Sequence, residues 1–320
     1  MSIQFPAGSD TAAEPATPGS YGVAPPGYRL PAGAHVGAVR LQVADLARSL
    51  DWYERVLGFR VLAQTGTRAT LGTDGAMVPL IEINQRTGAV PAPRRGKFGL
   101  FHYAILLPDR PALGRFLAHL INLATPMGAS DHLVSEALYL HDPDGLGIEV
   151  YADRPREVWR RQGRQVVMAT EPLDTRAVVA SGGGAGWTGL PDGTRIGHVH
   201  LHVGDLERAA QFYHAALGFD VMAWSYPGAL FLAAGGYHHH LGVNLWAGTG
   251  AVPPGPDDAR LLEWEVLVPT ATEVEAAAQA MRSSGQSVKQ DREGWGVSDP
   301  WGTSLRLRAG PPRDLESSGV

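Results

Sequence analysis

The sequence predicts an α+β fold made of two tandem repeats, each a pair of βαβββ units that forms an incomplete barrel. The main observation is an internal match: VGAVRLQVADLARSLDWYERVLGFRVLA, from residue 36, aligns without a gap with IGHVHLHVGDLERAAQFYHAALGFDVMA, from residue 196. About every second position is identical, which indicates duplication. Two further matches follow, FHYAILLP (101–108) with LEWEVLVP (262–269) and DPDGLGIEVY (142–151) with DPWGTSLRLR (299–308).

Each aligned segment predicts a strand followed by a helix. Val39, Leu41 and Val43 alternate with other residues at the period of a strand. Asp45, and Asp205 in the second copy, is placed to cap a helix that ends at a Leu-Gly pair. The later matched segments add a second strand and helix to each copy. We therefore expect eight strands and two helices per repeat, or four βαβββ units in total.

The domain boundaries follow from the repeat and from local composition. The first 34 residues are rich in Pro, Gly, Ala and Ser, which predicts a disordered arm. Between the repeats, the SGGGAGWTG stretch and its flanking prolines indicate a linker. The predicted division is arm 1–34, first repeat 35–152, linker 153–195, second repeat 196–309 and C-terminal tail 310–320.

Composition excludes several classes of function. The 320 residues include 44% hydrophobic and 18% charged residues, with a net charge of -5, as in ordinary soluble proteins. Nucleic acid and membrane partners are not expected, because there is neither a basic tract nor a long apolar run. The N-terminus has no features of a secretory signal, so a cytoplasmic location is predicted. There is no cysteine, which leaves His, Asp and Glu as metal ligands. A homo-oligomer is left open.

These repeats and motifs resemble the vicinal oxygen chelate superfamily, which includes glyoxalases, bleomycin-resistance proteins and extradiol dioxygenases. The resemblance covers residues 36–308. It implies an incomplete barrel that carries a metal or ligand, with metal ligands on the first and last strands of the units. The matching positions in the two repeats are Ala38 and His198, His102 and Glu263, and Glu149 and Arg306.

Neither repeat alone supplies a complete ligand set. Combining the second unit of repeat one with the first unit of repeat two gives His102, Glu149 and His198, a set suited to non-haem Fe(II), with Mn(II) as an alternative. Domain-swapped glyoxalases combine their units in this manner. The complementary set, Ala38, Glu263 and Arg306, lacks imidazole and carries a fixed positive charge. We therefore expect one metal site, assembled across the repeats. His200 and His202 share the face of His198 and are expected to support the ligands.

A second motif precedes the glutamate. His132 lies seventeen residues and Tyr139 ten residues before Glu149, which closely resembles the extradiol dioxygenase signature. In repeat two the corresponding stretch, EGWGVSDPWGTSLRLR, keeps only the Asp-Pro-x-Gly turn. The resemblance implies that His132 and Tyr139 hydrogen-bond the reacting oxygens.

Three consecutive histidines occur in AGGYHHHLGVNLW, residues 234–246. Strand alternation predicts that His238 and His240 face the site and that His239 points away. Extradiol enzymes keep an acid-base histidine at this distance after the first ligand, so His240 is favoured for that role and His238 is the next choice. Which of the three is an acid-base group or an additional ligand stays open.

The resemblance implies a catechol 2,3-dioxygenase-like extradiol enzyme, whose partners are a small aromatic diol and dioxygen. Two alternatives stay open. A glyoxalase-like isomerase or lyase would use Zn or Ni and a fourth ligand from the histidine triplet. A metal-free binding protein would present an apolar face, for which Trp224, Tyr237 and Trp246 are candidates.

Overall fold

A computed structural model describes residues 12–310 of the chain. The strands up to the end of the first repeat are β1 Glu14–Pro15, β2 His35–Val43, β3 Arg60–Thr65, β4 Arg68–Gly72, β5 Ile81–Gln85, β6 Gly99–Leu106, β7 Gly128–Asp131, β8 Ser135–His141 and β9 Gly147–Asp153. The later strands are β10 Arg160–Gln162, β11 Gln165–Val166, β12 Arg195–His202, β13 Asp220–Ala223, β14 Ala229–Ala233, β15 Leu241–Asn244, β16 Arg260–Val268, β17 Lys289–Asp291, β18 Gly294–Ser298 and β19 Ser304–Ala309.

The helices are short and lie between the first and second strands of each unit or in the linker. They are α1 Leu46–Trp52, α2 Arg110–Asn122, α3 Thr175–Ser181, α4 Leu206–Ala209 and α5 Ala271–Ser283. Two π-helical segments, Tyr53–Leu57 and Ala210–Ala216, continue α1 and α4, and a 3₁₀ turn covers Arg156–Val158. No helix within residues 12–310 is long and apolar enough to cross a membrane.

Sixteen of the strands form two eight-stranded sheets, which confirms the predicted α+β class, and β1, β10 and β11 form a small three-stranded sheet. The first eight-stranded sheet, here called the site sheet, has the order β13-β14-β15-β12-β6-β9-β8-β7, and the second has the order β17-β18-β19-β16-β2-β5-β4-β3. Each sheet therefore combines one unit of the first repeat with one unit of the second repeat. The sequence predicted instead that the two units of the same repeat would form a barrel. The joins are the antiparallel pairs β12–β6 and β16–β2. This exchange of units is the arrangement that the predicted ligand set requires.

The predicted helix signals are confirmed in both repeats. The Asp45 carboxylate accepts a hydrogen bond from the Arg48 backbone N–H at 3.0 Å, and Asp205 accepts the equivalent bond from Arg208 at 2.8 Å. Gly58 follows the first helical segment with φ 81°, a left-handed conformation that strongly favours glycine. In the second copy the helical segment ends one residue earlier, at Ala216, and the equivalent Gly218 also has a positive φ, 100°. Both copies therefore begin the helix at an aspartate cap and follow its end with a left-handed glycine.

The alternation of strand β12 separates the core from the site. Val199, Leu201 and Val203 are buried in the hydrophobic cluster that the strands of both sheets share with the helices. The intervening histidines His198, His200 and His202 lie on the opposite face, where their rings contact other aromatic and imidazole rings. Both faces are buried, and the packing of the apolar face into the core turns the three histidines to the site.

The N-terminal segment differs from the predicted disordered arm, because residues 12–34 pack against the linker and the second repeat. Leu30 is buried in the shared core, and Tyr21 donates a hydrogen bond to the Gly236 carbonyl at 2.9 Å. The Arg29 guanidinium forms a two-bond ion pair with Asp220 at 2.7 and 2.8 Å. These contacts hold the segment against the rest of the protein, although its Pro- and Gly-rich composition predicts disorder. Residues 1–11 and 311–320, which include nearly all of the predicted tail, lie outside the described residues.

Candidate metal centre and cavity

Three predicted ligands converge on neighbouring strands of the site sheet. His102 lies on β6, Glu149 on β9 and His198 on β12, and these strands are adjacent in the sheet. Glu149 Oε2 lies 3.0 Å from His102 Nε2 and 3.1 Å from His198 Nε2, and the two nitrogens are 3.3 Å apart. All three side chains are at least 95% buried. Among residues 12–310, no other set of three His, Asp or Glu side chains comes this close together.

The protonation states at this cluster suit a divalent cation. Burial lowers the pKa of His198 to about 4, although the adjacent carboxylate acts in the opposite direction. Burial by itself raises the pKa of Glu149, but His198 and His102 outweigh that effect and hold the pKa well below its usual range. A neutral imidazole and an ionised carboxylate are the forms that coordinate a metal. The donor set of two nitrogens and one carboxylate therefore fits Fe(II) or Mn(II).

A cavity of ≈ 250 Å³ opens beside the cluster. Its walls are mainly aromatic and apolar, and include Phe101, Phe231 and Trp246. Polar groups enter from His132, Tyr139 and His239, among others. Convergent polar groups in a mostly apolar cavity are typical of a small-molecule site.

His132 and Tyr139 form a directed hydrogen-bonded pair on the cavity wall. His132 Nδ1 lies 2.6 Å from the Ala169 carbonyl oxygen, and His132 Nε2 lies 2.5 Å from the Tyr139 hydroxyl. Because a carbonyl only accepts, Nδ1 carries the proton, and in the neutral ring Nε2 accepts from Tyr139. Burial, with a further contribution from Glu149, raises the pKa of Tyr139 well above its usual range, so its hydroxyl stays protonated. The structure thus brings both signature residues to the cluster.

The histidine triplet is arranged differently from the prediction. His239, expected to point away, lines the cavity, and its ring lies 4.1 Å from the ring of His198. His240, which was favoured for the acid-base role, packs between Tyr237 and Phe219 and accepts a hydrogen bond from the Ala234 N–H at 3.2 Å. The triplet precedes β15 rather than lying within it, so strand alternation does not apply.

His238 lies behind His239, away from the cavity lining. Its Nε2 lies 2.9 Å from Asp153 Oδ1, and its Nδ1 lies 2.7 Å from His239 Nδ1. The carboxylate accepts from Nε2, so in the neutral ring of His238 Nδ1 accepts from His239. In this series of hydrogen bonds His239 donates from Nδ1, so its Nε2 is the nitrogen that carries the lone pair. Burial lowers the pKa of His239 well below its ordinary value, which keeps the ring neutral.

The remaining aromatic candidates divide between the cavity and other surroundings. Trp246 lines the cavity, whereas Tyr237 hydrogen-bonds Tyr151 and Asp153, and Trp224 packs against the main core.

His200 also lines the cavity, and its ring lies 5.0 Å from that of His102. His202 hydrogen-bonds Asn244 at 2.7 Å. Sequence reasoning missed the contribution of the linker, since residues 168–170 form part of the cavity wall.

The equivalent position in the second sheet contains ion pairs. Arg306 donates to both carboxylate oxygens of Glu263, at 2.8 and 3.0 Å, and to Asp291 at 2.6 Å. Arg40 adds a second cation 3.4 Å from Glu263. The carboxylate is thereby occupied, and the fixed positive charges oppose a metal ion. Within the described residues, this side of the duplication holds ion pairs where the site sheet holds the His-Glu-His cluster.

The fold and the cluster together define a duplicated βαβββ protein with a buried two-histidine, one-carboxylate site. The sequence profile of the Glyoxalase/Bleomycin resistance protein/Dioxygenase superfamily matches residues 34–150 and 195–305. The chain belongs to this superfamily.

A relative from Bacillus subtilis (strain 168), named catechol-2,3-dioxygenase, is 46% identical over 270 residues, which cover 83% of this chain and 94% of the relative. Two solved structures share the fold at low identity. A crystal structure of a Bacillus subtilis protein has a TM-score of 0.61 at 13% identity and covers 89% of this chain and 87% of its own. Glyoxalase I from Zea mays has a TM-score of 0.51 at 18% identity, with coverages of 86% and 92%.

Proposed function

We propose that this protein is an extradiol dioxygenase that cleaves a catechol and inserts both atoms of dioxygen, with Fe(II), or Mn(II) in its place, held by His102, Glu149 and His198. The convergence of these three side chains beside an apolar cavity carries the proposal. The name of the Bacillus subtilis relative, at 46% identity, supports the dioxygenase class. Because both oxygen atoms enter the product, the reaction needs no external reductant.

The two neutral imidazoles and one carboxylate would leave a divalent ion with a net positive charge before substrate binds. An ion held by His102, Glu149 and His198 would serve as a template that brings the catechol and dioxygen together. The mainly apolar walls lower the local dielectric, which would strengthen each electrostatic contact in the cavity. The chain therefore contributes positioning and an apolar environment.

His239 replaces His240 as the acid-base group in this proposal. It is the triplet histidine that lines the cavity, and its Nε2 lone pair is set by the hydrogen-bonded chain through His238 to Asp153. Its neutral ring can accept a proton from a substrate hydroxyl and return it later in the reaction, and the hydrogen bonds through His238 to the Asp153 carboxylate would stabilise the charge that forms on the ring.

Tyr139 and His132 form the opposite polar edge of the site. The Tyr139 hydroxyl lies between His132 Nε2 and the ligand cluster, and its ring is 5.6 Å from the ring of His102. A protonated hydroxyl at this place can turn its hydrogen bond from His132 to a substrate oxygen as negative charge develops there. His132, held by the Ala169 carbonyl, keeps the hydroxyl in position.

The test is to load the protein anaerobically with Fe(II) and to follow oxygen consumption on addition of catechol. We expect one dioxygen consumed per catechol and formation of a yellow semialdehyde. Glu149→Ala, prepared identically, serves as the inactive control. Retention of Zn or Ni with no oxygen uptake would instead support a glyoxalase-like isomerase, and a protein that takes up no metal but binds apolar ligands would support a binding function.

A further inference from the structure

The linker between the repeats connects the two outer strands of the site sheet. At one end, Gln165 Oε1 accepts hydrogen bonds from the backbone N–H groups of Trp224 and Ser225, directly after β13, at 2.7 and 2.8 Å. At the other end, Glu171 and Asp131 on β7 exchange two backbone hydrogen bonds of 2.9 Å. β13 and β7 are the two edge strands of this sheet. Residues 165–171 therefore span the sheet from one edge to the other, on the face that carries the cavity.

The middle of this crossing segment forms a wall of the cavity. Met168, Ala169 and Thr170 all line it. The Met168 side chain packs against two small hydrophobic clusters, one associated with Tyr139 and the other containing Phe231. It therefore lies between groups on both sides of the cavity and limits its width.

A hydrogen bond at the exposed rim fastens the segment. Thr170 Oγ1 lies 2.6 Å from the Tyr226 hydroxyl, which follows the opposite edge strand. Tyr226 also lines the cavity and packs against the ring of Phe231 with a centroid distance of 5.6 Å. The wall is thus anchored at Gln165, at Thr170 and at Glu171.

The charges of the lining residues restrict the charge of the ligands that the cavity can bind. Within the described part of the chain, no lysine or arginine lines the cavity. Its one carboxylate, Glu149, is committed to the two histidines of the cluster. A substrate carboxylate buried here would find no cationic partner, which is costly.

We propose that the site accepts only catechols whose ring substituent is small and uncharged, and that the inter-repeat linker sets the size limit. The inference rests on the proposed function for the identity of the diol. The size limit comes from Met168, which the linker holds against both sides of the cavity. The charge limit comes from the absence of a cation in the described lining.

The experiment measures dissociation constants on Fe(II)-loaded protein without oxygen, for catechol, 4-tert-butylcatechol and 3,4-dihydroxybenzoate. We expect catechol to bind at least about tenfold more tightly than either substituted ligand, since pocket contacts discriminate on this scale. Met168→Ala should shift the preference towards 4-tert-butylcatechol by about tenfold or more, and Met168→Phe should shift it in the opposite direction. Val167→Ala is the matched control, because Val167 lies in the same segment but does not line the cavity.

Two results would overturn the inference: 3,4-dihydroxybenzoate binding as tightly as catechol, or a preference unchanged in both Met168 variants. Oxygen uptake, measured on the same samples, separates this inference from the proposed function. If the binding preference shifts as expected while no ligand is oxidised, the linker determines binding but the dioxygenase assignment fails. If catechol is oxidised while the preference stays unchanged, the assignment holds and the linker inference fails.

Discussion

The imidazole ring of His239 lies 4.1 Å from the ring of His198, whereas the adjacent His240 packs 4.8 Å from the ring of Tyr237. These two neighbouring histidines therefore have different surroundings. His239 lines the cavity, whereas His240 packs within the segment that precedes β15.

This difference predicts unequal effects of the same substitution. His239→Asn retains a polar group near the position of Nδ1, next to His238, but removes Nε2, so turnover should fall by about 100-fold or more with one iron per chain retained. His240→Asn, which keeps an acceptor for the Ala234 N–H, should stay within about threefold of the unmodified enzyme. Steady-state oxygen uptake measures the turnover of each variant, and iron analysis measures its metal content. Equal losses in the two variants, or loss of iron from His239→Asn, would refute the assignment.

Removal of the Tyr139 hydroxyl tests the other polar edge of the site. Tyr139→Phe should lower kcat by about 10- to 100-fold, because one hydrogen bond to developing charge is lost, and it should leave the iron content unchanged. The control is Tyr103→Phe: this neighbour of His102 on β6 directs its hydroxyl to Tyr53 at 3.0 Å, in the core. An unchanged kcat in Tyr139→Phe would show that its hydroxyl only supports the fold.

A pH dependence of stability is expected from Asp142, in the turn before β9. Burial raises its pKa from 3.8 to about 7, even though it accepts hydrogen bonds from Tyr53 and two backbone N–H groups. The folded state therefore holds a proton that the unfolded state releases. The resulting stability is complete below about pH 4 and is lost as the pH rises through about 7.

The measurement is urea unfolding of the iron-free protein at pH 5 and pH 8. The free energy of unfolding should fall over this range by some 2–3 kcal/mol more in the unmodified protein than in Asp142→Asn, which cannot ionise. Equal pH dependence in the two proteins would show that Asp142 titrates normally in the folded state.

The repeat made the fold and the location of the ligand cluster predictable. The resemblance placed the ligands on the first and last strands of the units, and alignment of the copies then distinguished His102, Glu149 and His198 from their counterparts Glu263, Arg306 and Ala38. Strand alternation assigned the facing side of β12 because Val199 and Leu201 lie in the hydrophobic core and the histidines between them lie on the opposite face. The structure brings these three side chains together. Their role as metal ligands stays a prediction.

The histidine triplet and the linker could not be predicted in the same way. Alternation along a strand requires an extended backbone, and His238–His240 lie in irregular chain before β15. The cavity wall at 168–170 has no counterpart in the other copy, so no repeat pointed to it. Similarly, Tyr21 and Leu30 anchor the N-terminal segment through contacts with the second repeat that local composition does not reveal.

The central claim is that one metal ion is held across the repeats by the site sheet alone, and iron stoichiometry tests it most directly. The comparison uses Glu149→Ala and Arg306→Ala, which change equivalent positions of the two copies. We predict about one iron per chain in the unmodified protein and in Arg306→Ala, and essentially none in Glu149→Ala, because Glu149 is the carboxylate of the cluster. Iron retained by Glu149→Ala, or two irons per chain in the unmodified protein, would contradict the account.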